Sequence, residues 1–133
     1  MSENLDLVRS IYVDWERGDF NSAEWADPEI DFVQADGLDP GAWTGLAEMA
    51  KHFRGWLGTW EGFRLMVDDY RELGPETVLV LDHFSGQGKT SGMDLGQIHA
   101  KGAWVFHIRD GKVMRMIRYW DRDRAHTDLG LAE

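Results

Sequence analysis

The sequence contains no cysteine, has three prolines in 133 residues, and sets 14 basic side chains against 24 acidic ones. Without thiols there is no disulfide, no thiolate nucleophile and no Cys-ligated zinc or iron–sulfur centre. The shortage of Lys and Arg leaves a formal charge of −10. That charge repels polyphosphate backbones, so nucleic acid is not an expected partner. No run approaches the roughly 20 apolar residues of a membrane span, and the opening MSENLDLVRS carries acidic residues with no apolar stretch. No membrane partner is expected, and the compartment expected is the cytoplasm.

Histidine is also sparse, and its placement excludes a metal centre. His99 and His107, with His83, fall on outward strand positions, His52 lies off the apolar stripe of its helix, and His126 is in the tail. Metal ligands must converge, and these do not. The glycines of SGQGKTSG lack the strand-to-helix setting of a phosphate cradle and read as a hairpin loop. Ser91 has no partnered His and Asp to make it a nucleophile. No cofactor is expected.

What the sequence does have is apolar and aromatic bulk. Hydrophobic residues make up 43% of the chain, enough for one core, and residues 1–133 read as a single domain. Seven tryptophans, Trp15, Trp25, Trp43, Trp56, Trp60, Trp104 and Trp120, either fill that core or line a cavity for a small hydrophobic molecule.

Leu5, Val8, Tyr12 and Trp15 recur at helical spacing, which predicts a first helix over 3–17 ended by Gly18. DFNSAEWADPE predicts a short second helix stopped before Pro28, IDFVQ a short strand, and ADGLDPGAW a loop. Thr44 is expected to cap a third helix whose stripe is Leu46, Met49, Ala50, Phe53, Leu57 and Trp60. From about Phe63 the period changes to two, with turns expected at Gly74-Pro75, Gly86 to Gly92 and Asp110-Gly111. Three N-terminal helices packed on one face of a curved antiparallel sheet give an α+β domain. Leu79, Leu81, Val105, Ile117 and Tyr119 then fall on the opposite face, which those helices do not cover, and a homodimer through this outer sheet face is expected.

The order and spacing of WERGDF, DPEIDF, WTGLAEMAKHFRGWL, GKTSG, AWVFHIRDGKV and YWD resemble the SnoaL-like family of the nuclear transport factor 2-like superfamily, which includes ketosteroid isomerases. The resemblance spans nearly the whole chain and implies a cone-shaped α+β barrel whose interior is the ligand site. It turns the strand alternation into an inside and an outside: Val80, Asp82 and Phe84, then Trp104, Phe106 and Ile108, then Met116, Arg118 and Trp120 are implied to face inward. The isomerase base, an Asp, matches Gln34, or Val33 with the gap placed differently, and neither takes a proton. The isomerase oxyanion pair matches Ile11 and Trp104.

The last strand, KVMRMIRYWD, therefore carries a guanidinium into an apolar interior. That costs on the order of several kcal/mol unless the charge is paired, and Asp82 is the one acid on the same inner surface, so an Asp82–Arg118 pair is expected. A fixed fork of donors suits a carboxylate, enolate or carbonyl oxygen. The candidate ligand-binding set is Arg118, Asp82, Gln34, Trp15, Trp104, Phe106, Met116, Trp120 and Phe84. Asp121, at the end of the last strand near the expected opening, is the candidate catalytic acid or base, with Asp31 and Asp36 behind it. Two functions stand: a small-molecule binding protein, and a cofactor-free isomerase, cyclase or hydrolase acting on a hydrophobic carbonyl or polyketide-like substrate.

Overall fold

In a computed structural model, the residues described are 3–17, 24–36, 41–58, 60–90 and 93–130, and the side chains of 56–63 and 87–100 lie outside that description. The elements run α1 (Glu3–Glu16), β1 (Ala26–Gln34), β2 (Gly41–Thr44), α2 (Leu46–Gly58), β3 (Trp60–Glu72), β4 (Thr77–Thr90), β5 (Met93–Arg109), β6 (Lys112–Tyr119) and α3 (Arg122–Asp128). The strands form one open sheet in the order β2-β1-β6-β5-β4-β3. From β3 to β6 it is the expected antiparallel meander. The sheet as a whole is mixed, however, because β1 runs parallel to β6.

Several expectations change. Ala26 and Asp27, expected at the end of a short helix stopped before Pro28, begin β1 instead, so the strand expected at Ile30–Gln34 starts four residues earlier; residues 18–23, and with them Gly18, lie outside the described set. Pro28 sits where the β1–β6 register shifts, between Ala26 and Asp31. Such an irregularity is where a strand tolerates a residue without an N–H. The stretch expected as loop ends in β2, which pairs with Asp31–Gln34. Four residues are too short to show a period, and Trp43 is held there by tertiary packing on Phe32 and His52, with ring centroids 6.0 and 3.8 Å away.

Thr44 does not cap α2. It lies in β2 and its hydroxyl donates to Asp31 Oδ1 at 2.9 Å, while Gly45, at φ 101°, makes the turn into the helix. A side chain would strain that left-handed conformation. Trp60 belongs to β3, so the α2 stripe ends earlier than expected. The glycine-rich stretch is strand up to Thr90 and resumes at Met93. At the other hairpin, Asp110 (φ 53°) and Gly111 (φ 75°) form the two-residue turn that Asp-Gly favours, closing on the pair Arg109 and Lys112.

The chain has three helices among the described residues, but only two precede the meander. α1 and α2 cover one sheet face, where Val8, Ile11, Tyr12, Trp15 and Met49 pack on Val80, Phe84, Trp104, Phe106, Ile108 and Met116. The third helix follows the last strand and packs on the other face, with Ala125 and Leu129 against Leu79, Leu81, Val105 and Tyr119. Leu79 and Val105 are fully buried within one chain. α3 thus covers part of the face expected to lack a helix.

Candidate functional site

Alternation along β4, β5 and β6 brings the inward residues into register. Val80 pairs with Trp104, Asp82 with Gly102, Trp104 with Arg118 and Phe106 with Met116. From β1, Gln34 pairs with Arg118 across the parallel junction. Polar and charged buried residues among those described are Gln34, Asp82 and Arg118, so all of them gather in one place on the helix-covered face.

Arg118 is 5% exposed and Asp82 fully buried. Arg118 Nη1 donates to both carboxylate oxygens of Asp82, at 3.0 Å to Oδ1 and 3.1 Å to Oδ2. Tyr12, from α1, donates its hydroxyl to the same Oδ2 at 3.2 Å. Burial and then the charge of Asp82 push the Tyr12 phenol well above its ordinary value. It therefore stays protonated and remains a donor. Two ring faces complete the setting of the cation: Arg118 Cζ lies 4.7 Å from the centroid of Phe84 and 5.2 Å from that of Trp104.

The space for the guanidinium comes from a missing side chain. A Cβ at Gly102 would stand 3.2 Å from Arg118 Nη2 and only 2.4 Å from the carbonyl oxygen of Tyr119. Behind this glycine, Arg122 of α3 donates to the Gly102 carbonyl at 3.1 Å and to the Asp82 carbonyl at 2.7 Å. Arg122 also bonds Asp68 Oδ2 at 2.5 Å. Burial alone pushes the Asp68 carboxyl up, but hydrogen bonds from Arg122 and His83 outweigh it and hold the group below its ordinary value.

Arg118 also borders a crevice of about 20 Å³, shared with Phe32, Gln34, Phe53, Trp104 and Trp120. A water-sized group needs roughly 10–15 Å³, so the crevice admits a single ligand oxygen as it stands. Arg118 Nε and Nη2, and the Gln34 amide, make no side-chain hydrogen bond to any described residue. Gln34 is nonetheless 8% exposed. Beside the crevice, these groups are what an acceptor atom would meet.

The predicted site residues divide by position. Arg118, Gln34, Trp104 and Trp120 border the crevice. Asp82 lies behind Arg118 and holds it, while Trp15, Phe84, Phe106 and Met116 are in the core around them. Asp121 is exposed and caps α3, its side chain accepting from the Asp123 N–H at 2.9 Å. Asp36 accepts from the Trp120 N–H at 2.6 Å, and exposed Asp31 ties β1 to Thr44.

Three contributors were not singled out from the sequence. By its spacing Tyr12 is one more apolar member of the α1 stripe, although a buried phenol usually takes a hydrogen-bond partner. Gly102, in the middle of a strand, was the local sign of a close approach. Phe32 is two residues from Gln34 on β1 and shares its face.

A family model for the SnoaL-like domain matches residues 8–116. No curated protein matches the chain. Among solved structures, a nuclear transport factor 2-like protein of unknown function from Burkholderia pseudomallei K96243 is 21% identical, with a TM-score of 0.77 over 96% of this chain and 97% of that one. A candidate SnoaL-like polyketide cyclase from Jannaschia sp. CCS1 is 13% identical, with a TM-score of 0.75 over 98% of this chain and 94% of that one. TerC, crystallised with polyporic acid, is 20% identical, with a TM-score of 0.72 over 95% of this chain and 97% of that one. At such identities these likenesses establish the fold. With 8–116 matched by the family's own sequence pattern, the chain belongs to the SnoaL-like family.

Proposed function

We propose that this protein binds a small, largely apolar molecule in the aromatic crevice, with Arg118 as the polar anchor. The observation that carries the reading is the buried guanidinium. It spends one nitrogen on Asp82, keeps further donors, and belongs to a residue that lines a crevice walled by Phe32, Phe53, Trp104 and Trp120. Burying such a group without a use for its donors costs stability. The crevice receives one ligand atom as it is, and a ring behind that atom enters by displacing the part-buried Phe53 and Trp120. Binding is favoured over acid–base catalysis because no carboxylate or imidazole borders the crevice among the described residues.

Titration with 2-acetonaphthone, followed through tryptophan fluorescence and the indole N–H signals of Trp104 and Trp120, tests this. The parent is expected to bind with both indoles responding. Arg118→Met alone strands a buried carboxylate, at a cost of about 3–5 kcal/mol. The double change Arg118→Met with Asp82→Leu restores an apolar fit, and is expected to fold while binding the ketone at least about tenfold more weakly. Equal binding by the folded double variant, or no response from the parent's two indoles, overturns the reading.

A further inference from the structure

Resting on that reading of the crevice, we propose that Asp82 is its specificity-determining residue: by cancelling the charge of Arg118 it tunes the site to a neutral carbonyl acceptor and against organic anions.

The geometry supplies both halves of the balance. Asp82 takes two contacts from one guanidinium nitrogen and a third from Tyr12, so its negative charge is satisfied and fixed within the protein. The guanidinium is met by that carboxylate and by the faces of Phe84 and Trp104. Counted together, Asp82 and Arg118 carry no net charge, and neither is accessible enough for water to screen it. A neutral oxygen accepting from Nη2 or Nε adds no charge to this interior. A carboxylate would meet the same donors but would leave the buried group with a net charge of −1, at the cost of its own desolvation and close to Asp82.

Gln34 points the same way. Its amide is neutral and stands opposite Arg118 in the β1–β6 register, so the second polar group bordering the crevice adds hydrogen-bonding capacity without adding positive charge. A crevice built for anions would place a second cation there. The ligand class is therefore a planar, uncharged aromatic compound carrying a carbonyl, whose oxygen sits between Arg118 and Gln34 and whose ring lies among Trp104, Trp120, Phe32 and Phe53. Specificity of this kind is a difference of affinities in which the rejected class meets an uncompensated charge.

Three probes of one shape and different charge decide it: benzamide, benzoate and benzamidinium, titrated at pH 7.5 into the full chain with the indole signals of Trp104 and Trp120 as readout. The parent is expected to bind benzamide at least about tenfold more tightly than either ion. Asp82→Asn, checked for folding by circular dichroism, leaves the guanidinium charge uncancelled and is expected to reverse the order of benzamide and benzoate. Benzoate binding the parent as tightly as benzamide overturns the proposal, as does benzamidinium doing so. A folded Asp82→Asn variant with the parent's ratio also overturns it. If that variant does not fold, the parent's three-probe order decides alone. Should none of the probes, nor 2-acetonaphthone, move the two indole signals, the crevice reading itself falls and this proposal with it; binding of the ketone with no preference among the probes leaves the crevice reading standing and removes only the role of Asp82.

Discussion

A cation that is 5% exposed imposes conditions on every neighbour it has. Asp82 supplies the countercharge, Tyr12 fixes the carboxylate, Phe84 and Trp104 present ring faces, and Gly102 gives up a side chain. The glycine is the least obvious and the easiest to test. In Gly102→Ala the new methyl carbon falls 2.4 Å from a backbone oxygen, which cannot rotate away as a side chain can, and presses on the guanidinium. The expected cost is about 3 kcal/mol, the upper end of ordinary overpacking, read from urea denaturation midpoints. A loss below about 0.5 kcal/mol, the scale of an indifferent surface change, would mean that β5 moves freely there and that the glycine does not shape the site.

At the scale of elements, the late helix α3 changes the meaning of Asp121. A carboxylate following the last strand looked placed for proton transfer, but it accepts from the Asp123 N–H and its carbonyl receives the Ala125 N–H. This is the work of an N-cap, whose loss costs about 1 kcal/mol. Asp121→Ala is therefore expected to lower stability by about that amount while 2-acetonaphthone binds unchanged, and Asp121→Asn, which can still cap, to restore the stability. A variant of parental stability that no longer binds the ketone would return Asp121 to the site. The same helix carries Arg122, whose contacts to the carbonyls of Asp82 and Gly102 join the cover of one sheet face to the polar centre of the other.

For the whole molecule, titrating groups set the pH range of full stability. Burial and then the neighbouring Arg115 push the imidazole of His107 below its ordinary value of 6.5. The fold favours its neutral form, so its contribution is complete above about pH 6.5 and is lost as pH falls through the folded value. The phenols act in the opposite direction. Tyr119 is pushed up to about 12 by burial and its hydrogen bond to Asp128, and Tyr12 is also raised. Their contribution is complete below about pH 10 and is lost as pH rises through the folded values. Urea midpoints are expected to level between about pH 7 and 9.5 and to fall on both sides. His107→Gln should flatten part of the acid-side fall, and an unchanged slope in that variant would show that other groups govern it.

The sequence by itself determined the features that depend on local spacing and on charge. The α1 stripe, the period-two meander and the Asp110-Gly111 turn follow from side-chain geometry repeated along one element, whereas the inward phase of Arg118 is implied by the family resemblance. The Asp82–Arg118 pair was legible for a different reason: a buried guanidinium demands a partner, and the inner surface offered one acid. Tertiary structure alone decided the rest. β2 and its pairing with β1 rest on Trp43 packing against residues distant in sequence, and Ala26–Gln34 is held as strand by the parallel ladder to β6 despite Pro28. The seven residues of α3 have too few apolar positions to announce a face, and only the buried surface of Leu79 and Val105 gives the helix its place. Burial and partnership are properties of neighbours brought together from far along the chain. That is why Tyr12 appears in the sequence as a member of a helical stripe and in the fold as the third member of a charge-balanced centre.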